Sequence, residues 1–117
     1  MLGVPLAVVL AIFAADTAPA TPPRTIEITA SRFRYDTAAI EVEEGEQVRL
    51  VLHSTDGTHG FAIKDYGLRT RIPKGGEVVR LEFVASMPGR FDFACSEYCG
   101  SGHRRMKGTL LVKARAK

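Results

Sequence analysis

The sequence predicts an all-β domain built as a sandwich or a small barrel. From residue 24 onward, apolar and polar residues alternate with a period of two, which is the side-chain period of a β-strand. Pairs of turn-forming residues interrupt this alternation at short intervals, and no run of ten residues has a clear helical face. Several short strands separated by turns are typical of sandwiches and barrels.

Six segments show the alternation most clearly and are predicted to be strands. They are TIEITA (25–30), AIEVEE (39–44), EQVRLVLHS (46–54), EVVRLEFVA (77–85), GRFDFAC (89–95) and GTLLVKA (108–114). In the fifth segment, Phe91, Phe93 and Cys95 fall on the same face of the strand. The core-facing side of this strand therefore leads to Cys95, which we expect where the strand ends and a loop begins.

The first twenty residues differ from the rest of the chain. They contain an uncharged apolar run of fourteen residues, LGVPLAVVLAIFAA, followed by DTAPA, whose Ala18-x-Ala20 ending suits signal peptidase. Fourteen residues form about 21 Å of helix, which is shorter than the roughly 30 Å core of a bilayer. We expect residues 1–20 to be a signal peptide or a short membrane anchor, 21–24 a proline-rich linker, and 25–117 the folded domain.

Length and charge limit the function further. The chain has 117 residues and a formal net charge of +3, which suits one mildly basic domain. We expect no nucleic-acid partner, because no known reading element accompanies the charge, and no hydrolase, because no serine lies in a nucleophile elbow. An exported chain of this kind would be periplasmic or otherwise extracytoplasmic. It would contact a membrane only through an uncleaved N-terminus or a partner.

The segment CSEYCGSGHRRM, from Cys95 to Met106, is the most informative part of the sequence. It contains both cysteines of the chain, one of its three histidines and one of its three methionines. Thiolate, imidazole and thioether together form the ligand set of copper, because soft sulfur stabilises the cuprous state and imidazole suits both oxidation states. The spacing therefore predicts a copper site in the loop after a strand.

A mononuclear blue-copper site needs two imidazoles, a thiolate and a weak axial thioether. Cys99, His103 and Met106 supply all of these except the second imidazole. His59 follows an Asp-Gly turn and begins a short apolar strand, so we expect it to complete the site. His53 is the alternative, but its position in the alternation predicts that it points away from the core.

Cys95 is not required by the blue-copper arrangement, and three explanations for it stay open. Two neighbouring thiolates can bridge two copper ions. Two cysteines four residues apart in an exported protein can also form a structural disulfide. Zinc held by two cysteines and two histidines is the third explanation, although it leaves Met106 without a role.

The fragments HGF and MPGRFDFACSEYCGSGHRRMKG resemble the copper A domain of cytochrome c oxidase subunit II, and they are also similar to the C-terminal domain of nitrous oxide reductase. The resemblance implies a cupredoxin-like Greek-key β-sandwich with a binuclear, mixed-valence copper A centre that passes single electrons. It implies six ligands: Cys95 and Cys99 bridging two coppers, His59 and Met106 on one ion, and His103 with the backbone carbonyl of Glu97 on the other.

The resemblance also implies a function and a class of partner. The chain would be an electron-transfer domain, not catalytic alone, with a c-type cytochrome or a terminal oxidase subunit as its redox partner. It differs from subunit II in lacking tryptophan and in placing Arg104 and Arg105 between two implied ligands. Two other functions stay open, namely a periplasmic copper carrier or storage module, and a mononuclear blue-copper protein that uses Cys99.

Overall fold

The structure, a computed structural model, describes residues 3–7 and 22–115. Nine strands lie within these residues: β1 (Arg24–Ser31), β2 (Arg34–Asp36), β3 (Ala39–Glu43), β4 (Gln47–Ser54), β5 (His59–Ile63), β6 (Leu68–Ile72), β7 (Val79–Val84), β8 (Gly89–Ala94) and β9 (Lys107–Lys113). There are also two short 3₁₀ helices. The first, Lys64–Tyr66, follows β5, and the second, His103–Arg105, precedes β9. The all-β prediction is confirmed.

The strands form two mixed sheets. One sheet has four strands in the order β2-β1-β4-β7, and the other has five in the order β3-β9-β8-β5-β6. The pairs β1–β4 and β3–β9 are parallel, whereas the other neighbouring pairs are antiparallel. Parallel neighbours cannot be joined by a hairpin, so the chain crosses from one sheet to the other between them.

The core lies between the sheets and is made by the inward-facing residues of the alternating strands. In β4, Val48, Leu50 and Leu52 are fully buried, as their shared face predicts. Phe61 and Phe93 contribute the largest buried side chains, and their ring centroids are 4.9 Å apart. Aromatic pairs at this separation add to the free energy gained from burial alone.

All six predicted strands are present, and their ends lie within two residues of the predicted ones. The short apolar segment that begins at His59 is also a strand, β5. The alternation in the sequence did not predict β2, which has only three residues, or β6, whose LRTRI pattern exposes two arginines. Most of the predicted signal peptide or anchor, residues 1–20, lies outside the described residues.

Several strands begin or end at the same end of the sandwich. β4 ends at Ser54, β5 begins at His59, and β8 ends at Ala94, immediately before the first cysteine. The register pairs Ala30 with Ser54 and Ala62 with Ala94. We call this the metal end, because it contains the predicted ligands. The opposite end contains Arg24, the first residue of β1.

Candidate metal centre

The loop between β8 and β9 carries most of the predicted ligands. Its two sides are joined by a hydrogen bond of 3.1 Å from the backbone N–H of Cys95 to the carbonyl of Met106. Inside the loop, the 3₁₀ turn at His103–Arg105 is closed by a hydrogen bond of 2.9 Å from the N–H of Arg105 to the carbonyl of Gly102. The loop is therefore a closed excursion whose two ends lie side by side.

The two cysteine sulfurs lie at the centre of this loop. Their Sγ atoms are 3.3 Å apart and both residues are free thiols, so they do not form a disulfide here. Cys95 is buried and Cys99 is half-buried. Burial and the neighbouring Cys95 sulfur raise the pKa of the Cys99 thiol to about 12. Without a cation beside it, this sulfur holds its proton firmly.

His59 reaches the sulfurs from the start of β5. One ligand atom from each of His59, Cys95 and Cys99 lies within 4.8 Å of the others. The His59 ring is fully buried, and its Nδ1 has no hydrogen-bond partner. A buried nitrogen without a partner costs free energy. Because no hydrogen bond occupies Nδ1, this atom is available to a metal ion. His53 is half-buried on β4 and does not belong to this group.

Asp56 fixes the orientation and the tautomer of this histidine. The Nε2 atom of His59 is 2.6 Å from Oδ1 of Asp56, so Nε2 carries the proton and Nδ1 keeps its lone pair. Oδ1 also accepts a hydrogen bond from the N–H of Gly57, and Oδ2 accepts one from the N–H of Arg32. Partial burial raises the pKa of Asp56, but these hydrogen bonds outweigh it and lower the pKa below its usual value.

Three further donors lie against the sulfur pair. The carbonyl oxygen of Glu97 is 2.9 Å from Sγ of Cys95. Nδ1 of His103 is 3.6 Å from Sγ of Cys99, and the buried Sδ of Met106 is 3.8 Å from the same sulfur. The structure thus brings all six sequence-predicted ligand residues to one place, with each of the other four donors within 4.8 Å of a thiol sulfur.

Gly60 allows β5 to approach the ligand loop. A Cβ at this position would lie 2.8 Å from the backbone nitrogen of Ser96 and 2.6 Å from that of Glu97, closer than real Cβ atoms come. The N–H of Gly60 also points at Sγ of Cys95, at 3.4 Å. Any side chain here would therefore push the first cysteine away from His59. This explains why the HGF fragment needs its glycine.

Tyr35 supports the same contact from the other sheet. Its buried hydroxyl donates a hydrogen bond to the carbonyl of Gly60, and its ring packs edge-on against Phe61 and Phe93. Burial, and then the neighbouring Cys95 and Cys99, raise the pKa of Tyr35 far above its usual value, so the hydroxyl keeps its proton. Neither Tyr35 nor the role of Asp56 was predicted from the sequence, because neither residue lies in the ligand loop.

The donor set fits copper. Two thiols and a thioether are soft ligands, and the two imidazoles suit both copper oxidation states. The buried, unpartnered Nδ1 of His59 fits an ion beside the thiols. Phe61 and Phe93, both fully buried, exclude water from the core side of the site, whereas Phe91 is half-buried.

Comparison with known proteins agrees with this fold. The profile of the cupredoxin-like domain family matches residues 4–112. The chain belongs to the cupredoxin family. It is 33% identical over 89 residues to cytochrome c oxidase subunit 2 of Thermus thermophilus, which covers 76% of this chain and 65% of that protein. A second Thermus subunit matches over 52% of its length, so the chain spans between about half and two thirds of these relatives.

Solved structures share the cupredoxin fold. The periplasmic domain of subunit II of the cytochrome oxidase of Bradyrhizobium japonicum superposes with a TM-score of 0.68 at 21% identity, over 78% of this chain and 84% of that one. Auracyanin A, a blue copper protein of Chloroflexus aurantiacus, superposes with a TM-score of 0.62 at 18% identity, over 78% and 99% of the two chains. At these identities the likeness shows the fold alone.

Proposed function

We propose that this cupredoxin is an extracytoplasmic one-electron carrier that holds two copper ions in a binuclear copper A centre. One observation carries the proposal, namely the 3.3 Å separation of the Cys95 and Cys99 sulfurs with a ring nitrogen of His59 beside them. A blue-copper site uses one thiolate, so it would leave the buried Cys95 without a purpose. Two thiolates at this distance can each contact two ions.

The proposed ligands are the six residues brought together around the sulfurs. Cys95 and Cys99 would bridge the ions, His59 and Met106 would complete one, and His103 with the carbonyl of Glu97 would complete the other. In the oxidised protein, a bound pair of coppers would share one unpaired electron between the two nuclei, and the pair would accept one further electron on reduction. The chain's own contribution is a set of donors fixed before the metal binds, because each donor is held by a strand end or a closed loop.

The same proposal includes the cellular setting. Residues 1–20 would direct export or tether the chain, 21–24 would be the linker, and 25–117 the copper domain. Among the helices that the structure describes, none has the length and apolar character to cross a membrane. The partner would be a c-type cytochrome or a terminal oxidase subunit, as the similarity to oxidase subunit 2 suggests.

Copper counting combined with a reductive titration tests the proposal. Protein loaded with copper and freed of excess metal should contain two coppers per chain, and it should accept one electron per chain. A mononuclear site would give one copper and one electron. Cys95→Ser should convert the first result into the second, because it removes one bridging sulfur and leaves the donors around Cys99.

A carrier or storage module would behave differently under a chelator. Electron carriers keep their metal in both oxidation states, whereas a carrier of cuprous ions must pass them on. The proposal therefore expects reduced protein to retain both coppers during dialysis against a moderate cuprous chelator. Rapid loss of both ions from the reduced protein during this dialysis would favour the copper carrier and overturn the electron-transfer function.

A further inference from the structure

The surface around the candidate copper site is strongly basic. Six exposed residues surround the ligand loop, and we call them the basic rim: Arg32, Arg69, Lys74, Arg104, Arg105 and Lys107. Within residues 3–7 and 22–115, none of the six forms an ion pair. Their positive charge is therefore directed to the solvent beside the site.

Three members of the basic rim belong to the ligand loop and its end. Arg104 and Arg105 lie in the 3₁₀ turn that begins at His103, and both are exposed. Lys107 follows Met106 and opens β9, where it pairs in register with Ala94. These three cations are consequently fixed within a few residues of two proposed ligands.

The other three members come from neighbouring strands and turns. Arg69 on β6 donates a hydrogen bond of 3.2 Å to the carbonyl of Ser96, between the two cysteines. The backbone N–H of Arg32 binds Asp56, and the backbone N–H of Lys74 points at the hydroxyl of Thr58 beside His59. Cations from three separate segments thus meet at the metal end.

Acidic groups at this end do not cancel the basic rim. Asp56 is bound to His59, and Glu97 is half-buried with its carbonyl on Cys95. Asp36 at the end of β2 and Glu77 before β7 are exposed acids nearby, and they offset part of the charge. The net charge facing solvent around the loop is positive.

Tyr98 marks the middle of this surface. Its side chain is 81% exposed, and its ring centroid is 5.6 Å from that of His103. A large exposed aromatic side chain surrounded by charged residues is the usual composition of the centre of a protein interface. His103 is half-buried beside it, so a partner seated on Tyr98 would lie close to a proposed copper ligand.

We propose that the basic rim and Tyr98 form the docking surface for a redox partner that presents an acidic face. The inference rests on the proposed function and adds the charge of the partner. Opposite charges bring the partner's redox group to His103 and speed the encounter, whereas a lysine-rich partner is repelled. The occupant is an acidic electron-transfer protein.

Stopped-flow electron transfer with two probe proteins tests this docking. An acidic ferrous c-type cytochrome and a lysine-rich one are each mixed with oxidised, copper-loaded protein. In each reaction a ferrous haem becomes ferric and its electron reduces the copper centre. Raising the ionic strength from about 0.01 M to about 1 M shortens the Debye length from roughly 30 Å to 3 Å. The rate with the acidic probe should fall about tenfold or more, and the rate with the lysine-rich probe should rise.

A double charge reversal locates the effect. Arg104→Glu with Arg105→Glu should lower the low-salt rate with the acidic probe at least about tenfold and raise the rate with the lysine-rich probe. The matched control is Arg90→Glu with Arg115→Glu, which makes the same charge change at the opposite end of the domain. Equal losses in both double variants would show that only net charge matters and would overturn the docking surface.

Two readouts keep this inference separate from the copper proposal. Calorimetric binding of the acidic probe to metal-free protein needs no copper, and Arg104→Gln with Arg105→Gln should weaken it without placing acids beside His103. Unchanged binding in that variant would refute the docking surface even if the copper centre is binuclear. Binding that weakens as expected, in a chain that takes up one copper, would uphold the docking surface and refute the binuclear centre.

Discussion

The two ends of the sandwich place polar groups in opposite ways. At the end that contains Arg24, carboxylates pair with exposed cations: Arg24 binds Glu46 at 2.6 Å, and Lys113 binds Glu41 at 2.6 Å. At the metal end, a buried histidine nitrogen has no partner and two thiols face each other at 3.3 Å. The charged groups at the first end are paired within the chain, whereas the donors at the metal end need an added cation to complete them.

This difference indicates that the functional residues lie at the metal end. Exposed ion pairs contribute about 0–1 kcal/mol each, so the end around Arg24 tolerates change. The metal end places a fully buried imidazole against two sulfurs, an arrangement that costs stability in the absence of metal. Changes of similar chemistry at the two ends should therefore have unequal effects.

The largest effect should come from Cys95→Ser. Removing one sulfur should reduce bound copper from two ions to one and abolish the spectrum of an electron shared by two nuclei. Ser96→Ala is the matched control, because Ser96 is the next residue and its buried Oγ has no hydrogen-bond partner. Metal analysis and visible absorption of both variants provide the comparison. A Cys95→Ser protein with two coppers and an unchanged spectrum would contradict the bridging role.

Asp56→Ala should have the next largest effect, since it removes the carboxylate that holds His59. Loss of such a supporting group lowers metal affinity about 10–100-fold. Glu46→Ala removes a carboxylate with an equally short contact at the other end and should leave the affinity unchanged. Competition with a cuprous chelator measures both. Equal affinities in the two variants would show that Asp56 does not orient a ligand.

Tyr35→Phe should lower stability rather than copper content. The variant leaves the buried carbonyl of Gly60 without its donor, at a cost of about 1–3 kcal/mol. Tyr66→Phe removes a hydroxyl that contacts the backbone of the exposed Met87, where water can replace it, and should cost less. Urea unfolding of both metal-free variants gives the two values. A smaller loss for Tyr35→Phe than for Tyr66→Phe would refute the support role.

The smallest effect should come from Arg24→Ala. This change breaks the two hydrogen bonds to Glu46, but the arginine side chain is about half exposed and the pair is screened by solvent. We expect a loss below about 1 kcal/mol and no change in copper content. Thermal unfolding in low and high salt measures it. A loss comparable to that of Tyr35→Phe would remove the contrast between the two ends.

The long strands could be predicted from the sequence because each buries one face. In β4, every second residue is buried and the residues between them are more exposed, so the period of two is unmistakable. β2 is too short to show a period, and β6 has only one fully buried residue, Ile72. Both are edge strands that pair only with the strand directly before them, β1 and β5, so few of their residues are buried and their sequence pattern is weak.

The ligand loop could be proposed from the sequence because its donors are close together along the chain. The support around it could not. Tyr35 lies 25 residues before Gly60, and only the packing of the two sheets brings its hydroxyl to that carbonyl. In the sequence, Asp56 is recognised only as part of an Asp-Gly turn. This local pattern does not indicate its contact with His59. Residues that support the ligands from elsewhere in the chain can be recognised only once the fold is known.

Electron paramagnetic resonance of the oxidised, copper-loaded protein is the most direct test of the central claim, that Cys95 and Cys99 hold two ions together. An electron shared equally by two copper nuclei gives a seven-line hyperfine pattern, and we expect this pattern in the wild-type chain. A four-line pattern from a single nucleus, in protein fully loaded with copper, would contradict it.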